Sequence, residues 1–563
     1  MTTNKTTISS LVEICARKGI KKIVLSPGSR NSPLAIAFNR HSEIDCYVVV
    51  DERAAAFFAM GMAQQTQHAV AICCTSGSAA LNYAPAIVEA FYQRIPLLVL
   101  TADRPVEWID QGAGQTIRQR DVFEKYILKS FQLVQEANEG DDLWYNNRQI
   151  NEAINLAHSP KLGPVHINIP LLEPLYGLTD ESTPTPKIQE FIKTEQRLSS
   201  TPLKSFANKW NQAESKLILC GLMSPNKKVN ELLEKLCEDD SVSVLTETTA
   251  NVFSEKFNPC IDRLISTIDE AEEKDFRPEI LVTIGGAIVS KKIKALLRRM
   301  RPTEHWHIDE AGVEMDTYQS LTQTIPISAA NFFQQIIPEI DFSKKRESSF
   351  QAIWSERNKS TQANHLNFLK ETKYSDLIAF EIILKNIPSG SIFQMGNSST
   401  IRYVQLFDQR PDLEYFSNRG TSGIDGCTST AVGAALASGK PTTLVCGDLS
   451  FFYDINGLWN KYLPANLRII IINNSGGGIF RIIPGPSTSD ELDEFFEVTQ
   501  ERSAKDVAKM YGLSYYAASS SKELANVLLE FYNEKNQASI LEIFTPRKEN
   551  DKILKAWFDN LNT

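Results

Sequence analysis

The feature that most limits the fold of this chain is a pair of apolar runs near its C-terminal end. The run Pro441–Cys446 is followed by Gly447 and Asp448, and the run Leu467–Ile472 is followed by Asn473-Asn474 and three glycines. A helix-like segment connects the two runs. Two strands joined in this way form a parallel β-α-β unit. Ligands of open parallel sheets bind at the carboxyl ends of the strands, so the polar residues that follow each run are candidates for a binding site.

The oxygen atoms available at these strand ends suit a hard divalent cation. They are the carboxylate of Asp448, the amide oxygen of Asn474 and the carbonyl of Gly476. Mg²⁺ usually takes few protein oxygens and completes its octahedron with phosphate oxygens and water. The segment therefore predicts a diphosphate held through a metal. A plain β-α-β unit with polar strand ends is the alternative.

Length and composition predict a multidomain globular protein. The chain has 563 residues, of which 42% are hydrophobic and 23% charged, and its net charge is −9. This charge argues against general binding to nucleic acid or to an anionic membrane. No apolar run approaches the roughly 20 residues that a membrane span needs, and the first residues lack the apolar core of a signal peptide. The nine cysteines include no Cys-x-x-Cys pair, which favours reduced, buried thiols in a cytoplasmic protein.

The fold class predicted from the alternation of helices and apolar strands is α/β, with three doubly wound parallel sheets. The expected domains are residues 1–178, 190–345 and 370–563. A polar stretch at 179–186 is interpreted as a linker, and residues 341–373 as a helical connector. The predicted strands are Lys22–Pro27, Cys46–Asp51, Ala69–Thr75, Pro96–Thr101, Val165–Pro170, Leu217–Cys220, Val242–Thr246, Ile280–Gly285, His305–Asp309, Ile392–Met395, Thr443–Cys446, Arg468–Ile472 and Ile540–Phe544. Predicted helices include Arg53–Gln64, Ala79–Arg94 and Lys291–Met300.

Arginines follow several of these strands. Arg30 and Arg104 lie in loops of the first predicted domain, while Arg402 and Arg419 lie in the third, with Ser398 one helical turn before Arg402. Guanidinium groups bind carboxylates in bidentate fashion. In a chain of negative net charge, four such arginines indicate small polyanionic ligands; ordinary surface charge is the alternative for each one alone.

Two segments together resemble the fingerprint of the thiamine-diphosphate-dependent decarboxylases and carboligases. They are Val50–Ala55, a strand, a Glu and a helix start, and Gly447–Gly478. Leu449 replaces the second glycine of the common Gly-Asp-Gly form. Four motifs are similar to the 2-succinyl-5-enolpyruvyl-6-hydroxy-3-cyclohexene-1-carboxylate synthase family of menaquinone biosynthesis: Ser26–Arg30, Thr101–Pro105, Ser417–Gly426 and Gly447–Phe451. The resemblance covers nearly the whole chain.

This resemblance implies pyrimidine-binding, central and diphosphate-binding domains, with thiamine diphosphate and Mg²⁺ (or Mn²⁺) as cofactors. Glu52 would activate the cofactor through its pyrimidine ring, and Asp448, Asn474 and the Gly476 carbonyl would hold the metal. Ile424 is expected to keep the cofactor bent, and Ile479 and Phe480 to form an apolar wall; ordinary core packing is the alternative for all three. The implied cofactor-binding residues are Glu52, Ile424, Gly447, Asp448, Leu449, Ser450, Asn474, Gly476, Ile479 and Phe480.

The family joins 2-oxoglutarate to isochorismate with loss of CO₂, so the resemblance also implies substrate contacts. Ser398, Arg402 and Arg419 would bind 2-oxoglutarate. The residues implied for isochorismate are Ser29, Arg30, Arg104 and Gln115. Gly114 stands where the family often has Asn. Lys291 is assigned by a looser match, with an exposed helix lysine as the alternative.

In the family the cofactor bridges two subunits, so a homodimer or homotetramer with active sites at the interface is expected. Three alternatives to this function remain at the level of sequence. One is another 2-keto-acid decarboxylase or carboligase, of the acetohydroxyacid synthase type. Another is a non-catalytic homologue that only binds the cofactor, and the third is a nicotinamide oxidoreductase.

Overall fold

The computed structural model describes residues 1–158, 160–180, 185–343 and 348–562. The predicted linker at 179–186 and connector at 341–373 therefore lie partly outside the described residues. Three parallel sheets follow one another along the chain, which confirms the predicted fold class. The domain boundaries stay predictions.

The N-terminal sheet has six parallel strands in the order β3-β2-β4-β5-β7-β6, and β1 and β8 form a separate short antiparallel pair. The strands are β1 Thr2–Thr3, β2 Lys22–Leu25, β3 Asp45–Val48, β4 Val70–Cys74, β5 Leu97–Asp103, β6 Ser130–Gln132, β7 Val165–Pro170 and β8 Leu178–Thr179. The helices are α1 Thr6–Arg17, α2 Ser32–Asn39, α3 Glu52–Thr66, α4 Ser78–Asn82, α5 Ala84–Gln93 and α6 Gly140–Ala157.

The central sheet has five parallel strands in the order β10-β9-β11-β12-β13. The strands are β9 Lys216–Cys220, β10 Val242–Thr246, β11 Ile280–Ile284, β12 Glu304–Ile308 and β13 Gln323–Ile325. The helices are α7 Ser200–Gln212, α8 Lys227–Leu236, α9 Ile261–Ile265, α10 Glu273–Phe276, α11 Lys291–Met300 and α12 Ala329–Ile336, and the long α13 Phe350–Glu371 leads to the next sheet.

The C-terminal sheet has six parallel strands in the order β15-β14-β16-β17-β19-β18. The strands are β14 Ile392–Met395, β15 Glu414–Ser417, β16 Thr442–Gly447, β17 Leu467–Asn473, β18 Ser514–Ala518 and β19 Ser539–Phe544. The helices are α14 Asp376–Asn386, α15 Ser399–Val404, α16 Cys427–Ser438, α17 Asp448–Tyr453, α18 Ile479–Ile482, α19 Lys505–Tyr511, α20 Ser521–Asn533 and α21 Asn550–Asn560.

Every strand predicted from the sequence pattern is present in the structure, and its ends lie within a few residues of the predicted ends. The single helix predicted over Ala79–Arg94 is wrong, because the structure divides it at Tyr83 into α4 and α5. Pro85 lies in the first turn of α5, where its missing N–H is tolerated, whereas inside a continuous helix it would remove a hydrogen bond. Strands β1, β6, β8, β13, β15 and β18 were not predicted, since they are short or carry polar and exposed residues.

All nine cysteines are free, and eight of them are buried. None of the helices in the described ranges combines the length and the hydrophobicity that crossing a membrane requires.

The N-terminal and C-terminal sheets share one apolar core, which contains residues of α3 and α16. These two helices cross closely because each has a glycine at the crossing point. A Cβ added to Gly61 would lie 2.1 Å from the carbonyl oxygen of Thr430, and one added to Gly433 would lie 1.9 Å from that of Phe58. Helix α3 begins at Glu52, so this crossing fixes the predicted catalytic glutamate relative to the C-terminal sheet.

Replacing Gly433 by alanine is expected to destabilise the protein by about 1–3 kcal/mol, the usual cost of overpacking. The atoms nearest to the added Cβ all belong to the backbone of Phe58, which cannot move aside as a flexible side chain can. Thermal unfolding measures the effect. Gly114→Ala is the matched control, since no atom lies within 4 Å of the added Cβ. Equal melting temperatures for the two variants would contradict the close crossing.

Candidate active site

The functional residues predicted from sequence follow neighbouring strands in two of the sheets. In the C-terminal sheet, Arg419 follows β15, Ser398 follows β14, Asp448 follows β16 and Asn474 follows β17, and these four strands are consecutive neighbours. Because all four are parallel, their carboxyl ends lie at one edge of the sheet. The N-terminal sheet repeats the arrangement. Glu52 lies beyond β3, Arg30 beyond β2 and Arg104 beyond β5, and the order there is β3-β2-β4-β5.

Asp448 is a fully buried carboxylate at the first position of α17. One oxygen accepts a hydrogen bond from the Leu449 N–H (2.8 Å), and the other accepts one from Nε2 of Gln500 (2.6 Å). Burial raises the pKa of Asp448 to about 6, against the effect of these hydrogen bonds and of one from the Gly476 N–H. No described Lys, Arg or His forms an ion pair with it. A bound cation would supply the positive charge that this carboxylate lacks.

Asn474 is oriented by a second buried carboxylate, Asp376. Its amide nitrogen donates to Oδ2 of Asp376 (3.1 Å), while Oδ1 of Asp376 accepts from the Thr545 hydroxyl (2.6 Å). An ionised carboxylate only accepts hydrogen bonds, so it selects the amide nitrogen of Asn474 and leaves the amide oxygen for another partner. Asp376 also lies close enough to Asp448 to raise the pKa of that carboxyl.

The backbone around Gly476 is shaped by close contact with the chain that follows. Gly476 has a φ of 143°, and a Cβ there would lie 2.7 Å from the carbonyl oxygen of Glu497. Gly447, by contrast, has no atom within 4 Å of an added Cβ, so open space lies beside Asp448. An oxygen-only donor set, an uncompensated buried carboxylate and this open space together fit a magnesium–diphosphate group. The described residues contain no cluster of three or more His, Cys, Asp or Glu side chains suited to a metal; the predicted set needs one carboxylate, one amide and one carbonyl.

Glu52 begins α3, where the Asp51 side chain accepts a hydrogen bond from the Ala54 N–H (3.2 Å). Burial raises the pKa of the Glu52 carboxyl and the Asp51 charge adds to the rise, while a hydrogen bond from Asn82 opposes it. A carboxyl with a raised pKa is suited to sharing a proton with a ligand.

No described contact joins Glu52 to Asp448. The residues on either side of Glu52 nevertheless contact the end of α17 and the segment that follows it. The Asn456 amide donates to Asp51 (2.7 Å), and Arg53 donates to the carbonyl oxygen of Tyr453 (2.8 Å). Within one chain, the two ends of the expected cofactor site are thus linked through the side chains of Asp51 and Arg53, and not through Glu52 and Asp448 themselves.

Arg30 and Arg104 converge on one carboxylate, that of Glu173. Arg30 is only 5% exposed and donates to Glu173 (3.0 Å) and to the Leu171 carbonyl (3.0 Å). Arg104 approaches the same carboxylate at 3.7 Å. Burial, and then the positive charge of Arg104, lowers the pKa of Arg30. The buried Asp103 also acts on Arg30, so the two guanidinium groups face one exposed and one buried carboxylate.

Ser29 and Gln115 are exposed in the same domain. The Ser29 hydroxyl lies 3.1 Å from that of Tyr176. Gln115 has a φ of 54°, and its backbone lies against Gly77, in the loop after β4. Both residues therefore belong to loops beside the strand ends that carry the arginine pair.

Arg402 and Arg419 form a second pair of arginines. Arg402 donates to the carbonyl oxygen of Ser398 (2.5 Å), and Arg419 donates to Oδ1 of Asn397 (3.1 Å). Burial lowers the pKa of both, and the charge of Arg402 lowers that of Arg419 further. Neither forms an ion pair within 4 Å in the described part of the chain, so donors of both remain for a ligand.

Lys291, the central-domain candidate, is exposed at the start of α11. The structure does not bring it into a described contact with Arg402 or Arg419. Two other lysines of the same helix face that region instead. Lys294 is close enough to Glu247 and Arg419 for both charges to act on its pKa, which burial lowers, and Lys292 is similarly placed beside Asp262.

Apolar residues of the predicted cofactor pocket lie around the same strand ends. The Ser450 hydroxyl donates to the Ile424 carbonyl (2.7 Å), which places α17 against the loop before α16. Ile479 is buried, and the half-buried Phe480 packs near Phe496 with ring centroids 6.0 Å apart. Leu449 is half-buried.

Comparison with known proteins matches both ends of the chain to one superfamily. Residues 5–122 match the thiamine pyrophosphate enzyme N-terminal TPP binding domain, and residues 395–543 match its C-terminal TPP binding domain. Three relatives are named 2-succinyl-5-enolpyruvyl-6-hydroxy-3-cyclohexene-1-carboxylate synthase. They come from Flavobacterium psychrophilum (47% identical), Christiangramia forsetii (46%) and Porphyromonas gingivalis (38%). The aligned region covers 98%, 98% and 99% of this chain and 98%, 98% and 97% of those proteins.

The chain belongs to the 2-succinyl-5-enolpyruvyl-6-hydroxy-3-cyclohexene-1-carboxylate synthase family. This confirms the resemblance inferred from the motifs and identifies thiamine diphosphate as the cofactor. The two matched regions contain Glu52 and the Asp448–Gly476 segment respectively, one at each expected end of the cofactor.

Several residues of this synthase site were missed by sequence reasoning. Asp376 and Gln500, which contact the predicted metal ligands, are distant from them in sequence, and Asn397 contacts Arg419 from the loop before α15. An acid at a helix start and an amide in a loop are common on protein surfaces, so no local pattern distinguishes them. Only the tertiary structure shows that they are buried beside the site.

Proposed function

We propose that this chain joins 2-oxoglutarate to isochorismate with release of CO₂, forming 2-succinyl-5-enolpyruvyl-6-hydroxy-3-cyclohexene-1-carboxylate in menaquinone biosynthesis. The observation that carries the proposal is the pair Arg402 and Arg419 at the strand ends next to Asp448. Two half-buried guanidinium groups that form no ion pair with any described carboxylate favour an acidic substrate, because each can bind a carboxylate through two parallel hydrogen bonds. 2-Oxoglutarate carries two carboxylates.

Thiamine diphosphate, when bound, supplies the electron sink that decarboxylation of a 2-oxo acid requires. In the proposed site Glu52 would share a proton with the pyrimidine ring, and Asp448, Asn474 and the Gly476 carbonyl would hold Mg²⁺ or Mn²⁺. Gly447, Leu449 and Ser450 would bind the diphosphate. Ile424, Ile479 and Phe480 exclude water from the reacting atoms, and a dry pocket favours decarboxylation because charge disperses in that step.

Isochorismate is assigned to the N-terminal arginines. Arg30 and Arg104, with Ser29 and Gln115, bind its carboxylates in the proposed complex. The shared carboxylate of Glu173 is 68% exposed, so an incoming ligand can displace it from the arginine pair. Lys291, in the central domain, is a weaker candidate for a substrate contact. Cytoplasmic location stays a prediction.

The proposed assembly is a homodimer or homotetramer in which Glu52 of one subunit and Asp448 of another meet at one cofactor. Exposed apolar side chains support a subunit interface near both residues. Val48 and Val50 precede Glu52 and are 43% and 42% exposed, and Tyr453, which follows Asp448, is 53% exposed. Analytical ultracentrifugation measures the oligomeric state. A monomer that retains full activity would contradict the proposed assembly.

The test of the function is product analysis. The purified protein, with Mg²⁺ and thiamine diphosphate, is incubated with 2-oxoglutarate and isochorismate, and CO₂ release and the coupled product are measured. Both are expected only when all components are present. Pyruvate replaces 2-oxoglutarate as the matched control, since it lacks the second carboxylate.

Other outcomes of the same assay identify the alternatives. Faster turnover of pyruvate would assign the chain to another 2-keto-acid carboligase. Cofactor binding without turnover of either acid would identify a non-catalytic homologue.

A further inference from the structure

Glu89 is a buried carboxylate of the N-terminal domain for which the site described so far has no role. It lies on α5 and is 2% exposed. Its oxygens accept hydrogen bonds from the backbone N–H of Gly420 (2.6 Å), from that of Thr421 (2.6 Å) and from the Thr421 hydroxyl (2.6 Å). These donors belong to the C-terminal domain, in the loop that begins with Arg419.

We propose that Glu89 is a positioning residue that holds Arg419 in the orientation that binds a carboxylate of the 2-oxo acid substrate. The inference rests on the proposed function. It gives the N-terminal domain a part in binding a substrate whose other predicted contacts belong to the C-terminal domain.

The chemistry of the contact requires a carboxylate. Removing a carboxylate from water is costly unless hydrogen bonds replace the lost water, and here a fourth bond from Gln93 (2.5 Å) completes the set. No described Lys or Arg lies within ion-pair distance of Glu89. All four partners donate, two to each oxygen, so an acceptor-only side chain satisfies them, whereas an amide would direct its own N–H groups at two donors.

The loop that carries Arg419 depends on such contacts, because residues 418–426 form neither helix nor strand. Asn397 donates to the carbonyls of Asn418 and Gly423 (2.7 Å each), near the two ends of the loop. Glu89 holds the middle. The approach is so close that a Cβ on Gly420 would lie 2.5 Å from the Glu89 carbonyl oxygen.

The contact acts directly on Arg419. The Gly420 N–H belongs to the same peptide group as the Arg419 carbonyl, so its hydrogen bond to Glu89 fixes the peptide plane that follows Arg419. The Nε of Arg419 is buried without a hydrogen-bond partner among the described residues. A donor left unpaired in this way is costly unless a ligand accepts from it, and a carboxylate would do so.

The test measures steady-state kinetics of Glu89→Gln with both substrates. The KM for 2-oxoglutarate is expected to rise about tenfold, the effect of losing one charge-assisted hydrogen bond. The kcat and the KM for isochorismate should stay within about twofold, because Glu89 touches neither the reacting atoms nor Arg30 and Arg104. Thr421→Val removes one of the four hydrogen bonds and keeps the side-chain shape, so a rise of about threefold in the KM for 2-oxoglutarate is expected. This variant tests the inference if Glu89→Gln fails to fold.

Two comparisons separate positioning from a purely structural role. Tyr462→Phe also removes a hydrogen bond between the two domains, that from the Val48 N–H (3.1 Å), and should leave both KM values unchanged. In an Arg419→Lys background, Glu89→Gln should add less than about twofold to the KM for 2-oxoglutarate, because the group that it positions is already lost.

Equal rises in both KM values, a full tenfold addition in the Arg419→Lys background, or unchanged kinetics in Glu89→Gln and Thr421→Val would overturn the inference. An inactive wild-type protein would overturn the proposed function and this inference with it. An active wild type with unchanged variants overturns the inference alone.

Discussion

Replacing Glu52 by glutamine is expected to lower turnover by about 10²–10⁴-fold, the range typical of a lost proton-transfer group. Glutamine has nearly the same size and can still form hydrogen bonds, but it cannot share a proton with a ring nitrogen. The raised pKa of the Glu52 carboxyl, caused mainly by burial, suits it to this role. Turnover is measured as CO₂ release at saturating 2-oxoglutarate and isochorismate, and cofactor binding is measured separately by calorimetry.

The adjacent variant Asp51→Asn is the matched control for Glu52→Gln. It makes the same carboxylate-to-amide change at the helix cap, where Asp51 accepts hydrogen bonds from the Ala54 N–H and the Asn456 amide. A lower melting temperature with turnover within about threefold is expected, since loss of a cap costs roughly 0.5–2 kcal/mol. Wild-type turnover in Glu52→Gln would remove the glutamate from the mechanism.

Replacing Asp448 by asparagine is expected to weaken metal-dependent binding of thiamine diphosphate by more than about 100-fold, since loss of even an outer-shell partner of a metal ligand costs 10–100-fold. The change removes the single carboxylate of the proposed donor set. Leu449 and Gln500 donate to different oxygens of Asp448, so asparagine keeps an acceptor for one of them, and a lower melting temperature with a retained fold is expected. Calorimetric titration with thiamine diphosphate at increasing Mg²⁺ measures the effect without relying on turnover.

Asp454→Asn is a close control for Asp448→Asn. Asp454 is also fully buried, lies six residues further along, and has a pKa that burial raises to about 6. Its oxygens accept from the N–H (2.7 Å) and hydroxyl (2.9 Å) of Ser429, which is a structural contact at the start of α16. A lower melting temperature with unchanged metal dependence is expected. If both variants bound the cofactor alike, Asp448 would not be a metal ligand.

The sequence was most informative where strand, loop and helix follow one another within a few residues. The runs that end at Asp448 and Asn474 are strands β16 and β17 in register beside each other, as their apolar pattern predicted. Boundaries were less well predicted, since a strand ends where its partner ends and the partner is not visible locally. Strand β18 is an example, because all of its residues except Ala518 are exposed or half-buried and its place at the sheet edge depends on pairing with β19.

The sequence by itself determined the fold class, most of the strands, the family, and the strand-end residues that are proposed to face the cofactor and its substrates. These features depend on local patterns, because apolar periodicity and short motifs are continuous in the chain. Only the tertiary structure decided which distant groups complete the site: Asp376 beside Asn474, Glu173 between Arg30 and Arg104, and Glu89 on the Arg419 loop. These contacts join residues 98, 143 and 331 positions apart, and no local sequence pattern spans such separations. A buried carboxylate and a solvated one have the same letter in the sequence, and burial, which distinguishes them, is set by the packing of the whole chain.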